Sequence, residues 1–397
     1  MKERLPAILL LFFASLTFQA CVTVAPQLEK GKRNTPEGYA TEPAVPLGVA
    51  TNETTSQQLG YAKNQGQAAE EALHYLINHA TGAEMSAGPY QIGLVLEKPK
   101  DWYENRGGQD QFHSSDGNAF LGVAVRDAYD GRLIPGLTVK ASILDESGNT
   151  VTEKELPFGV HPLLNRYGAN IDFPAGGDYS LKIEVDPAPF WRHDPVNGDR
   201  YSDTVTAVFN KRNIAPEEFT DPVRDENKEE WMPLAKAQGN AIKRAIDAMI
   251  AKTAMDGEEI KYGPYLLTYA VEYAEGYWHF VDGKLRYNIR VEQSAEKNAH
   301  VEVAVFDAKT GRMIPGFDVE TTFFRDGQKT DTVKPTFMWH PWLYHYGENF
   351  RVPKSGKYEL QVHTSAPGIR RYGEFGKQFN SGIDQRFTDV DVQTGQK

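Results

Sequence analysis

The chain has 397 residues, which is long for one domain, and its 40% hydrophobic content with 20 Phe, 19 Tyr and 6 Trp excludes a wholly disordered protein. Its net charge of −11 and its lack of a block of basic residues argue against nucleic acid as a partner, because phosphates require a basic surface. A single cysteine excludes a disulfide framework and a cysteine-rich metal site.

The N-terminal residues 1–21 have the pattern of an export signal. Two basic residues precede an apolar stretch, 5–18, that is too short to span a membrane. The stretch ends before Cys21, in a context similar to a bacterial lipobox, so we predict lipidation of Cys21 and a lipid-anchored protein on the periplasmic side of the cell envelope. A soluble secreted protein with an incidental cysteine is the alternative. Residues 22–58 lack periodicity and are rich in Pro, Thr and Gly, which predicts a flexible tether.

The rest of the chain contains the same motifs twice, at nearly constant separation, which indicates two duplicated modules rather than a solenoid. The pairs are Ala62–Ala68 with Ala235–Ala241, Gly88–Tyr90 with Gly263–Tyr265, Gly131–Gly136 with Gly311–Gly316, His161-Pro162 with His340-Pro341, and Tyr167–Asn170 with Tyr346–Asn349. We therefore divide the chain into a first module at 59–212, an acidic linker at 213–230 and a second module at 231–397.

Each module begins with a helical pattern and continues with short alternating strands separated by Gly-containing turns. The predicted helix faces are Ala68, Ala69, Ala72, Leu73, Leu76 and Ile77 in the first module and Ile242, Ala245, Ile246, Met249 and Ile250 in the second. Strands at this spacing favour an antiparallel β-sandwich in each module.

The second module concentrates metal-ligand residue types. His300 and Glu302 are two apart on a predicted strand and therefore share one face. Met338 and His340 repeat this spacing on a later strand, and His345 follows. Imidazoles with a carboxylate and a thioether suit copper, whereas histidines and a glutamate alone would also accept Fe(II), Zn or Mn. The alternative is that these histidines face solvent or end strands among aromatic residues.

At these positions the chain resembles the periplasmic ferrous-iron-transport-associated proteins, immunoglobulin-like lipoproteins that bind copper, zinc or iron. The resemblance rests on His300-Val301-Glu302, Ile314-Pro315-Gly316, Met338, His345–Asn349 and Gly356–Tyr358. It implies an immunoglobulin-like sandwich for each module. With the duplication and the helical patterns, the expected fold is mainly β, with two tandem immunoglobulin-like antiparallel β-sandwich modules, each preceded by an α-helix. The resemblance also implies His300, Glu302, Met338 and His345 as ligands of a transition metal, copper or iron. The implied function is capture of the metal and delivery to membrane uptake, with a membrane iron permease as partner.

The family takes a further ligand from a histidine-rich loop after the last motif. In this chain the corresponding residues 367–372 contain no histidine. We consider His340 or His363 as substitutes for the missing ligand. His193 occupies the same loop of the first module, where we interpret it as a leftover rather than part of a site.

The first module retains the frame of the motifs and lacks the ligands. Phe120, Gly122, Gly159 and Arg166 stand where the second module has His300, Glu302, Met338 and His345. The joint absence of these residues from the first module favours a metal role for them in the second.

Two motifs occur in both modules and are therefore interpreted as structural. Because the His-Pro pair occurs in both modules, we rank His340 after the other four candidate ligands. Its expected role is a hydrogen bond to a neighbouring strand. The Tyr-Gly-x-Asn block is expected to form a turn, with glycine at positive φ and asparagine bonding its local backbone.

No catalytic motif is recognisable in the sequence, and we do not expect an enzyme. The alternative to metal binding is an envelope protein that makes protein or glycan contacts. The aromatic-rich stretch 338–346 would serve either function.

Overall fold

The computed structural model describes residues 48–51, 54–174, 177–252, 255–288 and 297–394. The predicted signal segment, Cys21 and most of the predicted tether lie outside this range. Within it, neither helix combines the length and the apolar character needed to cross a membrane.

The two predicted helices are present as α1, Ser56–His79, and α2, Lys228–Lys252. Helix α1 starts with a capping box, in which the Thr55 hydroxyl accepts from the Gln58 backbone N–H and the Gln58 side chain accepts from Thr55 N–H. All six residues predicted for its apolar face are buried.

The described residues form 24 strands. In chain order they are β1 Thr81–Ala87, β2 Tyr90–Glu97, β3 Trp102–Arg106, β4 Gln109–His113, β5 Ala119–Asp127, β6 Val139–Leu144, β7 Thr150–Glu155, β8 Phe158–Val160, β9 Arg166–Ile171, β10 Gly177–Val185, β11 Trp191–Arg192, β12 Val205–Ile214, β13 Asp256–Tyr262, β14 Tyr265–Tyr273, β15 Tyr277–Val281, β16 Lys284–Asn288, β17 Ala299–Asp307, β18 Val319–Arg325, β19 Gln328–Val333, β20 Thr336–Trp339, β21 His345–Phe350, β22 Gly356–Thr364, β23 Arg370–Tyr372 and β24 Asp384–Val392.

The strands form two eight-stranded and two four-stranded sheets. The eight-stranded sheets have the orders β1-β2-β5-β9-β8-β23-β3-β4 and β13-β14-β17-β21-β20-β11-β15-β16, and the four-stranded sheets have the orders β12-β10-β6-β7 and β24-β22-β18-β19. Each large sheet packs on a small one over an apolar core, and the helices cover the other face of the large sheets. The predicted mainly β fold of two sandwiches with preceding helices is therefore confirmed. The predicted module boundaries stay a prediction.

The two halves of the chain exchange one short strand each. Strand β23, from the second half, lies between β8 and β3 in the first large sheet. Strand β11, from the first half, lies between β20 and β15 in the second large sheet. β23 pairs in parallel with β8 and β11 with β20, whereas the other strand pairs are antiparallel. Each sheet is thus completed by the opposite half of the chain.

Buried arginines join the halves with the same geometry on both sides. Arg132 donates through Nη2 to the carbonyls of His340 at 3.0 Å and Pro341 at 3.1 Å. Arg312 donates in the same way to His161 at 2.8 Å and to the following proline at 2.7 Å. The shared His-Pro pair thus has a structural role, as predicted, but it acts through its main-chain carbonyls and bridges two modules rather than two strands.

Each helix approaches a turn of its own module so closely that only glycine fits. A Cβ on Gly66 would lie 2.6 Å from the carbonyl carbon of Asp130, and one on Gly239 would lie 2.6 Å from that of Thr310. The absence of a side chain at these two positions therefore lets the helix backbone touch the turn.

We expect Gly239→Ala to lower the free energy of unfolding by about 2 kcal/mol or more, because the added methyl group must displace backbone atoms of the Thr310–Gly311 turn. Gly60→Ala in α1 is the matched control. No atom lies within 4 Å of its Cβ, so alanine should stabilise the helix by about 0.5–1 kcal/mol. Urea denaturation of both variants measures the two effects, and equal stability of the two variants would contradict this packing.

Candidate metal centre

Four buried side chains offer ligand atoms around one point in the second sandwich. His193, His300, Glu302 and His345 each contribute one nitrogen or oxygen atom, and these atoms all lie within 4.8 Å of one another. None of the four residues is more than 5% exposed. A cavity lined by His193, Glu302 and His345 has a volume of about 20 Å³, which is room for one water molecule or one metal ion.

The strands place three of these residues as the sequence indicates. His300 and Glu302 lie on β17, where successive residues alternate faces, so both side chains point the same way. His345 starts β21, which pairs with β17 through Glu302 opposite Gly347. The predicted sharing of one face by the imidazole and the carboxylate thus brings both to the cavity.

Met338 lies beside His345, its partner in the β20–β21 pairing, and is fully buried. A Cβ built on Gly347 would lie 2.7 Å from Met338 Sδ and 2.7 Å from His300 Nε2. Because both distances start at the same Cβ position, Met338 Sδ and His300 Nε2 are at most twice 2.7 Å apart. The thioether therefore lies at the histidine cluster. Gly347 has an ordinary strand conformation, so its role is to make room for these side chains and the expected positive φ was wrong.

His193 comes from the first half of the chain and was interpreted from the sequence as a leftover, which is wrong. It directly follows β11, and its N–H donates to Trp339 O at 2.8 Å. Trp191 stacks on Tyr277 at 4.2 Å and holds the exchanged strand in place. The histidine missing from residues 367–372 is thus supplied by the equivalent loop of the other module.

The remaining sequence candidates occupy different places. His340 packs against His193 and His345 at ring-centroid distances of 5.1 and 5.5 Å but is not among the four converging ligands. Its Nδ1 accepts from Trp342 N at 3.5 Å. His363 is exposed on β22 and lies outside the cavity. Cys21 is outside the described residues.

Each of the three histidines has its Nδ1 held by an oxygen atom. His193 Nδ1 lies 2.8 Å from Glu275 Oε2, and His300 Nδ1 lies 2.9 Å from Asn349 Oδ1. His345 Nδ1 lies 3.2 Å from the carbonyl of Leu343. Because these oxygens only accept hydrogen bonds, each Nδ1 carries the proton and each Nε2 presents a lone pair.

Asn349 fixes His300 through a contact that is distant in sequence. Its Oδ1 also accepts from Glu275 N at 3.1 Å, and its Nδ2 donates to Glu275 O at 2.8 Å. The asparagine of the Tyr-Gly-x-Asn block therefore ties β21 to the segment before β15 and orients a histidine. The expected bond to its local backbone was wrong.

All three Nε2 atoms are buried without a hydrogen-bond partner among the described residues. His345 Nε2 lies 3.3 Å from Glu302 Oε1, inside the cluster itself. An unpartnered buried polar atom costs about 1–3 kcal/mol, so three of them around one small cavity indicate a site built for a ligand.

The electrostatics of the cavity favour a cation. Burial raises the pKa of Glu302 well above its usual range, and the carboxylates of Glu272 and Glu275 raise it further. Burial lowers the pKa of His300 to about 4 and that of His345 well below its usual range, with His193 adding to both shifts. The imidazoles of His300 and His345 are thus neutral, while the acidic side chains of Glu272, Glu275 and Glu302 lie close by.

A second group of possible ligands is an ordinary ion-pair network. Glu70, His74 and Glu84 lie together on α1 and β1. Arg126 pairs with the carboxylates of both Glu70 and Glu84, and about half of the Glu70 and His74 side-chain surfaces is exposed. The arginine already supplies the positive charge that a metal ion would bring.

The aromatic stretch 338–346 is buried in the structure. Trp339 is 1% exposed, Trp342 is 2% exposed and Tyr344 is 7% exposed. Trp342 and its neighbour Leu343 pack with the helices, in one apolar cluster with Ala62 and Met249. These aromatic side chains therefore hold the modules together and do not form a surface for partners.

No protein-family profile and no curated protein sequence matches the chain. Solved structures that are similar to it include FetP from uropathogenic Escherichia coli strain F11, at 22% identity over 34% of this chain and 96% of FetP, with a TM-score of 0.28. A copper-bound FetP variant matches at 16% identity over 34% of this chain and 92% of the other, with a TM-score of 0.29.

The copper-reconstituted P19 protein of Campylobacter jejuni is also similar, at 17% identity over 35% of this chain and 96% of P19, with a TM-score of 0.29. The resemblance predicted from the motifs is thus found among solved structures, as a likeness of fold. The copper named for these structures is a property of those proteins.

The lowered pKa of His300 predicts a pH dependence of the metal-free protein. The unfolded chain protonates this imidazole below pH 6.5, whereas the folded chain does so only near pH 4, so stability falls as the pH drops between these values. His300→Gln removes the titrating group. We expect the stability advantage of the parent over this variant to shrink by about 3 kcal/mol between pH 7 and pH 4 in urea denaturation. An advantage that stays constant over this range would contradict a buried neutral imidazole.

Proposed function

We propose that the cluster binds one transition metal ion. The observation that carries the proposal is the convergence of three unpartnered imidazole nitrogens, from His193, His300 and His345, with Glu302, all within 4.8 Å of one another. Met338 and Glu302 complete the set of donors. The hydrogen bonds to each Nδ1 orient the rings in advance, as the outer partners of metal-binding histidines commonly do.

Copper is the metal that this set of donors fits best. Imidazole suits copper, zinc and iron, and a thioether adds a preference for Cu(I). The carboxylate of Glu302 is a harder donor, and together with the histidines it would also accept Fe(II). We therefore propose copper as the preferred metal of the cluster and ferrous iron as the second candidate.

In the cell, the proposed role is capture of the metal at the envelope and delivery to an uptake system in the membrane. Two sequence features support this role beyond metal binding itself: the lipobox-like context of Cys21 and the family resemblance of the motifs. A membrane permease for iron is the partner proposed to receive the metal. The proposed activity is binding and transfer, without catalysis. The burial of the aromatic stretch 338–346 favours this role over one in protein or glycan contacts.

The decisive variant is His193→Ala, because it removes a ligand that lies more than one hundred residues from the others in sequence. We expect the parent protein to bind one equivalent of Cu(I) in an anaerobic competition titration, and the variant to bind it at least about tenfold more weakly. The titration is repeated with Fe(II) to rank the two metals.

His363→Ala is the matched control, because it removes an exposed histidine outside the cluster. It should bind metal like the parent protein. Equal affinity of all three proteins, or no stoichiometric binding by the parent protein, would overturn the proposal.

A further inference from the structure

The position in the first sandwich that corresponds to the metal centre contains a different set of polar groups. The β8–β9 pairing sets Gly159 opposite Arg166, as the β20–β21 pairing sets Met338 opposite His345. The exchanged strand β23 lies beside β8 and carries Tyr372 one residue after Arg371, just as His193 follows Arg192. Arg166 and Tyr372 are thus the counterparts of two metal-site histidines.

Two glycines make room for these larger side chains. A Cβ on Gly122 would lie 2.6 Å from Arg166 Nε, and one on Gly159 would lie 2.6 Å from a ring carbon of Tyr372. The carboxylate and thioether side chains of Glu302 and Met338 thus have no counterpart here. The side chains of Arg166 and Tyr372 extend into the space that the two glycines leave. The substitutions fit one another sterically, which indicates a built arrangement.

Several polar groups that line this second position have no hydrogen-bond partner. Arg166 Nε and Nη1, His161 Nε2 and Tyr372 Oη are buried without a hydrogen-bond partner among the described residues. The three side chains are at most 2% exposed. The rings of His161 and Tyr372 stack, with their centroids 4.1 Å apart.

These donors line a cavity of about 320 Å³, which also contains the Lys100 side chain. Arg166 pairs through Nη2 with the buried carboxylate of Glu97. Lys100 Nζ lies 3.3 Å from Glu97 and 3.0 Å from Asp221. The cavity is far larger than that of the metal centre, and it can hold a molecule rather than a single ion.

The first cavity contains two basic side chains, Arg166 and Lys100, which the metal centre lacks, beside the carboxylates of Asp101 and Asp221. Burial lowers the pKa of His161 well below its usual range, and the positive charges of Arg166, Lys100 and Arg312 lower it further. Lys100 and Glu275 are equivalent residues of the two modules. The backbone N–H of Lys100 donates to Asn170 Oδ1, and the backbone N–H of Glu275 donates to Asn349 Oδ1. At this one position a basic residue thus replaces an acidic one.

We propose that the first sandwich binds a small oxyanion, a carboxylate or a phosphate, in the cavity lined by Arg166, His161 and Tyr372. The anion accepts hydrogen bonds from the unpartnered guanidinium nitrogens and from the tyrosine hydroxyl. Charged hydrogen bonds of this kind are the strong ones, and arginine is the side chain best suited to carboxylates and phosphates. The chain thus carries a cation site and an anion site at equivalent positions of its two modules.

The test is isothermal titration calorimetry of the metal-free protein with inorganic phosphate in one arm and acetate in the other. We expect one equivalent of anion to bind to the parent protein. Tyr372→Phe removes only a hydroxyl group and keeps the ring that stacks on His161, so the fold is retained, and binding should weaken about fivefold. Arg166→Gln should abolish binding, and Tyr372→Phe decides the question if that variant does not fold.

Arg351→Gln is the control for a general loss of positive charge, because this residue is exposed and distant from the cavity in sequence. It should bind both anions like the parent. Binding of phosphate alone or of acetate alone identifies the class of oxyanion, and binding of both supports the shared chemistry. No binding of either anion by the parent, or unchanged binding by Tyr372→Phe, would overturn the proposal. Neither outcome bears on metal binding by the second sandwich.

Discussion

The parallel pairing of the two-residue strand β11 with β20 is the interaction on which the metal centre depends. It sets Trp191 opposite Met338 and Arg192 opposite Trp339, and it thereby places His193 over the open side of the second sandwich. Without this pairing, His300, Glu302 and His345 would face an incomplete cavity. The pairing of β23 with β8 repeats the arrangement in the first sandwich. Each half of the chain therefore completes a sheet of the other half, beside the candidate site of that sheet.

The exchange explains why the interface between the halves is so polar at its centre. Arg132 and Arg312 donate to the main-chain carbonyls of the two His-Pro pairs, which directly follow β20 and β8. The side chains of Gln65 and Gln238 donate to the next carbonyls along, those of Trp342 and Leu163. These hydrogen bonds hold the segments that frame both sites, so the positions of the ligands are set by contacts across the interface.

The two sites show how one frame accommodates opposite charges. At the candidate metal centre, burial and the neighbouring carboxylates of Glu272 and Glu275 raise the pKa of the buried Glu302 carboxyl. In the first sandwich, the guanidinium of Arg166 pairs with Glu97, the counterpart of Glu272. A permanent cation attached to the chain thus takes the place of an exchangeable one.

Much of the fold follows from local pattern. The faces of α1 and the alternation of β5 and β17 are short-range features, and they identify the helices, the sandwiches and the shared face of His300 and Glu302. The role of His193 depends on a strand of two residues that pairs with a distant part of the chain, and such a strand has no periodicity to detect. One signal was available: the loop of the second module lacks a histidine, while the loop of the first module has one and lacks every other ligand. Complementary losses of this kind indicate exchange between copies.

The most direct test of the exchanged ligand is crystallography of the copper-loaded protein with anomalous scattering measured at the copper edge. Our account predicts a single strong anomalous peak in the second sandwich, within bonding distance of Nε2 of His193, His300 and His345 and close to Met338 Sδ. A peak bound by His300 and His345 with His193 directed elsewhere would contradict the account, as would copper only on exposed histidines such as His363.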